Sequence, residues 1–271
     1  MKLIDCKKQI IDIFKKSNID LQQVNILFCE VLNCSTAELL AKTELTSKEY
    51  KKIMSAVKKR LDGMPIQKIF KRAYFYGLTF KIDQNVLCPR PETELLVEET
   101  LKHTKQNCCA LDLCTGSGAI AVALAKNSTA NVFASDISTK ALKIAKYNAK
   151  QNEVKVNFVK SNMFKNIKQK FDIIVSNPPY IKTDDIQKLD DEVKKYDPLI
   201  SLDGGKSGLD FYNIIALQSK QHLTKNGVVL VEVGFGQAQD VKNIFEQNGF
   251  ACYIKKDYNN IERIVVGELK W

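Results

Sequence analysis

The apolar positions of this chain change their period along its length. Over the first 62 residues they recur at three- and four-residue intervals, as in Leu21, Val24, Leu27 or Phe28, and Val31, which predicts short amphipathic helices. Ser35 followed by Glu38, and Thr46 followed by Glu49, have the form of capping boxes that start new helices. Residues 1–62 therefore read as a small helical bundle, with Gly63 and Pro65 punctuating its end. Nothing within it resembles a catalytic constellation, so its expected role is to bind or position a partner. Alternation then sets in around Phe75, Leu78, Phe80 and Ile82, with Gly77 as the turn, and 63–90 reads as a hairpin linker. Proline flanks Arg90 on both sides, and Pro91 to His103 predicts a helix opened by Pro91 in its first turn.

From Cys108 onward, short apolar runs alternate with helical patterns, the signature of a doubly wound α/β sheet. Strands are predicted near 109–113, 131–135, 155–160, 171–175, 227–233, 251–256 and 261–267. The last two approach each other through the turn from Asp257 to Asn260 and pair antiparallel. The expected third unit is a sheet domain over 91–271.

Composition narrows the possibilities. With 271 residues and 45% hydrophobic content the chain has ample material for a buried core. Its longest apolar runs, such as Ala119 to Ala125, are too short to cross a bilayer, and Lys2 to Lys16 interleaves charge with apolar residues, unlike a secretory signal. A cytoplasmic protein without a membrane span is expected. Eight cysteines form no CxxC pair and predict reduced thiols, while His103 and His222 have no ligand-like spacing, so no metal site is expected. The formal charge of +10 is spread along the chain rather than gathered in a basic arm, and reads as a lysine-rich compositional bias. No direct nucleic-acid substrate is expected.

Candidate chemistry begins at Leu111-Asp112-Leu113-Cys114-Thr115-Gly116-Ser117-Gly118, where a strand ends and an apolar helix begins. Glycines there let the backbone approach a ligand, and the helix N-terminus presents unpaired amides to an anionic group such as a carboxylate or a pyrophosphate. The next strand ends at Asp136, about twenty residues on, where a carboxylate can accept both hydrogen bonds of a ribose diol or can cap the helix beginning near Ser138. Ile137 would pack beneath an adenine. Asn162 and Met163, in the Ser161 to Phe164 segment after the third strand, would meet the adenine edge.

Ser176-Asn177-Pro178-Pro179-Tyr180 follows the fourth strand, at the carboxyl edge where such folds bind ligands. Pro178 fixes its own backbone and pushes Asn177 out of the helical region, which makes a rigid ledge of two acceptors, the Asn177 side-chain oxygen and the Pro178 carbonyl. An amide or exocyclic amino nitrogen is a poor nucleophile because its lone pair is delocalised. Two acceptors holding its hydrogens orient it and favour a tetrahedral nitrogen, without a strong base. Tyr180 could cover the flat face of such a group. The same demands arise for N6-adenine or N4-cytosine methylation, but base extraction calls for a clustered basic or aromatic surface that is absent from the sequence. A non-catalytic cofactor-binding protein would have no reason to keep this ledge.

The chain resembles the peptide chain release factor glutamine methyltransferases, the PrmC or HemK family. The likeness spans nearly its whole length: helical N-terminal domain, hairpin, CPRPETE from Cys88 to Glu94, LDLCTGSG, SNPPY, DPLISLDGGKSGLDFY and VEVGFGQ. It implies a class I methyltransferase fold, a seven-stranded α/β sheet, behind a small all-α domain. It also implies S-adenosylmethionine as cofactor, the glutamine of the Gly-Gly-Gln loop in class I release factors as target, and a monomer. By this resemblance Thr115, Gly116 and Gly118 line the methionine part of the cofactor, Asp136 the ribose, and Asn162 with Met163 the adenine, with Asp112, Cys114, Ser117 and Ile137 as further cofactor-binding residues. Asn177 borders the cofactor as well. Asn177, Pro178, Pro179 and Tyr180 hold the glutamine amide and carry the catalysis, with Arg90, Glu92 and Thr93 as further substrate contacts. Asn162 and Met163 depart from the acidic and aromatic residues common there. Lys71 and Asn260 stand at or near positions where the family has glycine, so strained or reshaped turns are expected at both.

Overall fold

A computed structural model describes residues 1–269; Lys270 and Trp271, the last residues of the expected 91–271 domain, lie outside the described residues. The chain separates into two compact units, Met1–Lys71 and a second from Arg72 onward. The first contains α1 (Leu3–Lys16), α2 (Gln22–Leu32), α3 (Thr36–Ala41), α4 (Ser47–Leu61) and α5 (Ile66–Phe70). Its core gathers Ile10, Phe14, Leu27, Phe28, Ile53 and Val57, one apolar stripe from each long helix. Both capping boxes form: the Ser35 and Thr46 amides each donate at 2.7 Å to the glutamate three residues on, and their hydroxyls accept from that glutamate's amide at 3.2 Å. Leu21 does not join the stripe. It sits just before α2 and is 39% exposed, because the helix begins one residue later and turns it outward. Pro65 opens a further turn of helix, α5, whose Ile66 belongs to the same core.

The second unit opens with the hairpin β1 (Arg72–Phe75) and β2 (Leu78–Lys81), which turns at Tyr76 and Gly77. There follow α6 (Glu92–His103), β3 (Cys109–Leu113), α7 (Ala119–Asn127), β4 (Asn131–Asp136), α8 (Thr139–Gln151), β5 (Asn157–Lys160) and β6 (Phe171–Ser176). Two 3-10 turns, Thr183–Lys188 and Leu199–Ser201, flank α9 (Asp191–Tyr196). Then come α10 (Asp210–His222), β7 (Leu223–Glu232), α11 (Ala238–Gln247), β8 (Phe250–Lys256) and β9 (Glu262–Leu269). The seven long-range strands run in the order β5-β4-β3-β6-β7-β9-β8. All pairings up to β6–β7 are parallel, and β9 is antiparallel to both its neighbours. This is the class I methyltransferase architecture. Among the described residues no helix is long and apolar enough to cross a membrane.

Alternate residues of the central strands sort to opposite faces, as a two-residue period requires. Ala110, Val175, Val228 and Leu230 pack with α6 and α7; Leu111, Ile174, Val229 and Val231 pack with α10 and α11. The hairpin is tied to the sheet domain through Asn148 of α8, which is fully buried. Its side chain accepts from the Lys81 amide at 2.8 Å and donates to the carbonyls of Lys81 at 3.0 Å and Ser117 at 2.8 Å. One amide thereby joins the hairpin to the glycine-rich loop.

Lys71 and Asn260 both keep the left-handed backbone for which glycine is suited, with φ of 53° and 63°. Asparagine tolerates this region better than lysine does. Lys71→Gly is therefore expected to raise stability by about 0.5–1 kcal/mol, the left-handed penalty less the entropy glycine adds to the unfolded chain. Asn260→Gly should change it much less. Urea denaturation of the two variants checks the contrast, and a destabilised Lys71→Gly would show that its side chain supplies something the backbone does not.

Candidate active site

The carboxyl edge of the parallel strands carries nearly all the candidate chemistry. Between β3 and α7 the chain turns through Cys114, Gly116 and Gly118 with φ of 62°, 55° and 82°. A Cβ on Gly118 would sit 2.9 Å from the Ala145 Cβ, so glycine is required there by packing as well as by backbone angle. Asp112 is fully buried beneath the loop, its Oδ2 accepting from the Thr115 hydroxyl at 2.5 Å and from the Ala121 amide at 3.1 Å. Burial pushes its pKa up to about 7 against the pull of those two donors. Asp112, Thr115 and Gly118 thus shape the loop from within, while Cys114 and Gly116 line the cavity in front of it. The Cys114 thiol is pushed up to about 12 by burial, which leaves it unreactive.

Asp136 ends β4 beside that loop and lines the same cavity. Its Oδ2 accepts from the Gly116 amide at 2.9 Å and its Oδ1 from the Ser138 amide at 2.8 Å. The helix cap is supplied by Ser138 instead, whose hydroxyl accepts from the Ala141 amide at 3.1 Å. The Ile137 amide is a third donor to the same Asp136 carboxylate, which still faces the cavity. Ile137, 45% exposed, lies beside it on the cavity wall with Asn162 and Met163.

Asn177 and Pro179 line the cavity, and Pro178 between them is buried. The Ser176 hydroxyl donates to the Leu113 carbonyl at 2.6 Å and pins this segment to the end of β3. The Asn177 amide nitrogen donates to the Thr93 hydroxyl at 3.1 Å, which turns the nitrogen toward α6. Tyr180 is held by its backbone: a Cβ on Gly204 would approach its Cα to 2.7 Å, and one on Gly208 its carbonyl oxygen to 2.6 Å. Gln237 completes the clamp, donating to the Tyr180 carbonyl at 3.0 Å and accepting from the Gly234 amide at 3.0 Å. The GGKSGLDFY and VEVGFGQ segments therefore act as the frame around SNPPY.

Of the residues singled out near α6, Thr93 is buried under Asn177, Glu92 is exposed, and Arg90 pairs with Asp197 at 2.9 Å. None of the three lines the cavity. Sequence reasoning missed several residues that do: Asn85, Val86 and Leu87 after the hairpin, Pro198, Ile200 and Ser201 in the DPLIS segment, and Phe211. It also missed Glu232 at the end of β7, which is 4% exposed and pushed up to about 7 by burial. The only signal for it was an acidic residue inside the apolar run VVLVEV.

The cavity suits a ligand with both polar and flat apolar parts. The Ser135 hydroxyl on its wall is buried without a partner, a Cβ on Gly116 would meet nothing within 4 Å, and the Asp136 carboxylate on the wall is an acceptor suited to a diol. S-adenosylmethionine has the diol, the adenine and the amino-acid end that these features call for, and with this sheet they define a class I S-adenosylmethionine-dependent methyltransferase. The comparisons agree on the class and narrow it. Residues 81–195 match the Methyltransferase small domain family and residues 7–70 the PrmC N-terminal domain family. A methyltransferase from Pyrococcus furiosus shares the fold with a TM-score of 0.57 at 21% identity, over 71% of this chain and 89% of that one. The release factor glutamine methyltransferase of Thermodesulfovibrio yellowstonii is 39% identical over 98% of both chains, and that of Clostridium acetobutylicum 37% over 98% of both. The chain belongs to the release factor glutamine methyltransferase family.

Asp136→Ala is expected to weaken S-adenosylmethionine binding by about 1.5–3 kcal/mol, the scale of hydrogen bonds to a charged group. Calorimetry on a variant with wild-type circular dichroism measures it. Unchanged affinity would remove Asp136 from the diol site.

Proposed function

We propose that this chain methylates the side-chain amide nitrogen of the glutamine in the Gly-Gly-Gln loop of class I peptide chain release factors, with S-adenosylmethionine as donor. The observation that carries this reading is the orientation of Asn177 at the cavity wall: with its nitrogen bonded to Thr93, its oxygen is the end available to the substrate. Bound S-adenosylmethionine supplies an electrophilic methyl group. The protein's part is to make a poor nucleophile competent. The Asn177 oxygen and the Pro178 carbonyl accept the two hydrogens of the target amide, and the prolines keep that pair of acceptors rigid. Positioning of this kind lowers the barrier without a strong base. Tyr180, whose hydroxyl is pushed up to about 12 by burial, stays neutral at working pH and offers a flat ring to the amide.

Cys114 to Gly118 and the N-terminus of α7 hold the amino-acid end of the donor, Asp136 its ribose, and Ile137, Asn162 and Met163 its adenine. Arg90 and Glu92 border the substrate's approach. The sheet domain needs a way to select a whole release factor rather than any glutamine, and the unit Met1–Lys71, with its own core and no chemistry, is assigned that recognition. The enzyme acts in the cytoplasm, as a monomer.

Mass spectrometry of a class I release factor incubated with enzyme and S-adenosylmethionine should find one added methyl group on the Gly-Gly-Gln glutamine; an unmodified loop would sink the assignment. Asn177→Ala should slow single-turnover transfer about a hundred- to a thousandfold, the scale for losing a preorganised hydrogen-bond partner. Tyr180→Phe should slow it far less. Equal, modest losses in the two would leave SNPPY as a mere wall of the pocket.

Removing residues 1–71 should leave S-adenosylmethionine affinity intact while sharply reducing methylation of the intact factor. A truncated enzyme that worked at the full rate would assign that unit elsewhere.

A further inference from the structure

Glu232 is the one buried carboxylate at the reaction centre to which no step above gives a task. It ends β7 next to the SNPPY segment, 4% exposed, and its Oε2 has no hydrogen-bond partner. Its surroundings offset the cost of burial only in part. Glu92 of α6 adds like charge, and Arg263 of β9 is engaged with Asp257 at 2.9 Å. Tyr180 and Tyr212 are the remaining titratable neighbours, and the Tyr212 hydroxyl donates to the Glu232 backbone carbonyl at 2.9 Å rather than to its side chain. What pulls the carboxylate back toward ionisation is hydrogen bonding from the Thr93 side chain, then the Arg263 charge, then hydrogen bonding from the Asn177 side chain. Burial raises its folded pKa to about 7, so the ionised group costs stability as pH rises from the ordinary glutamate range through 7. A fold that retains such a cost at its active site is using the group for something.

An asparagine amide has two nearly isosteric orientations, and only one presents oxygen to the substrate. Thr93 by itself cannot choose between them, since a hydroxyl both donates and accepts. An ionised carboxylate, the form Glu232 takes above its pKa of about 7, only accepts. Placed behind both side chains, it takes the Thr93 hydroxyl hydrogen, which leaves that oxygen an acceptor, and it also accepts from Asn177, so both neighbours admit only the nitrogen of Asn177. The geometry points to Glu232 and Thr93 as a pair of positioning residues that fix the amide of Asn177 with its nitrogen inward and its oxygen toward the target. This rests on the proposed role of Asn177, and neither residue touches the substrate.

Three variants and two readouts test it. Thr93→Val keeps the shape and removes the hydroxyl, Glu232→Gln keeps the shape and introduces a donor, and Thr93→Ser restores the hydroxyl. In Thr93→Val and Glu232→Gln, kcat for release factor methylation should fall about ten- to a hundredfold, the scale for a misplaced reacting group, with KM and S-adenosylmethionine affinity within about threefold of wild type. Thr93→Ser should recover most of kcat. Independently of activity, the Asn177 side-chain protons of 15N-labelled enzyme, assigned by their absence in Asn177→Asp, should exchange slowly in wild type and Thr93→Ser and faster in Thr93→Val and Glu232→Gln. If Glu232→Gln does not fold, the two threonine variants still decide. Wild-type kcat and exchange in Thr93→Val would overturn the inference. So would a loss in Thr93→Val that Thr93→Ser fails to restore, or one matched by an equal loss of cofactor affinity. Should wild-type enzyme leave the release factor unmethylated while the exchange pattern holds, the positioning pair stands and the substrate assignment falls.

Discussion

The pairing of β3 with β6 decides where this molecule can do chemistry. Sheet growth reverses at that pair: β4 and β5 lie beyond β3, and β7, β9 and β8 beyond β6. The connections leaving the two strands diverge to opposite faces and open a crevice at their carboxyl ends. The register, Leu113 opposite Ser176, places the glycine loop and SNPPY on either side of that crevice, and the Ser176 hydroxyl bond to the Leu113 carbonyl locks it there. A slip of one residue would turn every side chain of β6 to the wrong face. Donor and acceptor are thus brought together by backbone pairing, before any side chain recognises a ligand.

Much of this was legible in the sequence, because it depends on local rules. The strands of the sheet domain announce themselves through apolar runs bounded by turns, both capping boxes form as written, and left-handed backbone persists at Lys71 and Asn260 although neither is glycine. The turn geometry is imposed by what lies on either side of it. Leu21 escaped the pattern because a stripe does not reveal where its helix starts, and the short helix after Pro65 escaped because proline can open a helix as readily as end one.

The candidate site was legible where a motif sits at a strand end and illegible where a side chain works across the fold. Nothing local says that Thr93, on a helix far from SNPPY in sequence, lies under Asn177, or that Asp112 braces its loop while Asp136 faces the cavity. Glycines 204 and 208 could be noticed as a motif, but their reason is the backbone of Tyr180 pressed against them. The cavity wall formed by 85–87 and by the DPLIS segment comes from loops with no periodicity to read.

The position of β9 carries a consequence for how the protein is made. Among the described strands it comes last in sequence, yet it lies between β7 and β8 and joins them. A chain emerging from the ribosome N-terminus first must therefore leave one edge of β7 bare, and β8 without a partner, until residues 262–269 are free to insert. Glu232, opposite Ile264 in that pairing, has no strand on its outer side before then. The part of the molecule that frames the reaction is closed by a strand made after all the other described strands, so a chain lacking it carries the binding loops but not the finished centre.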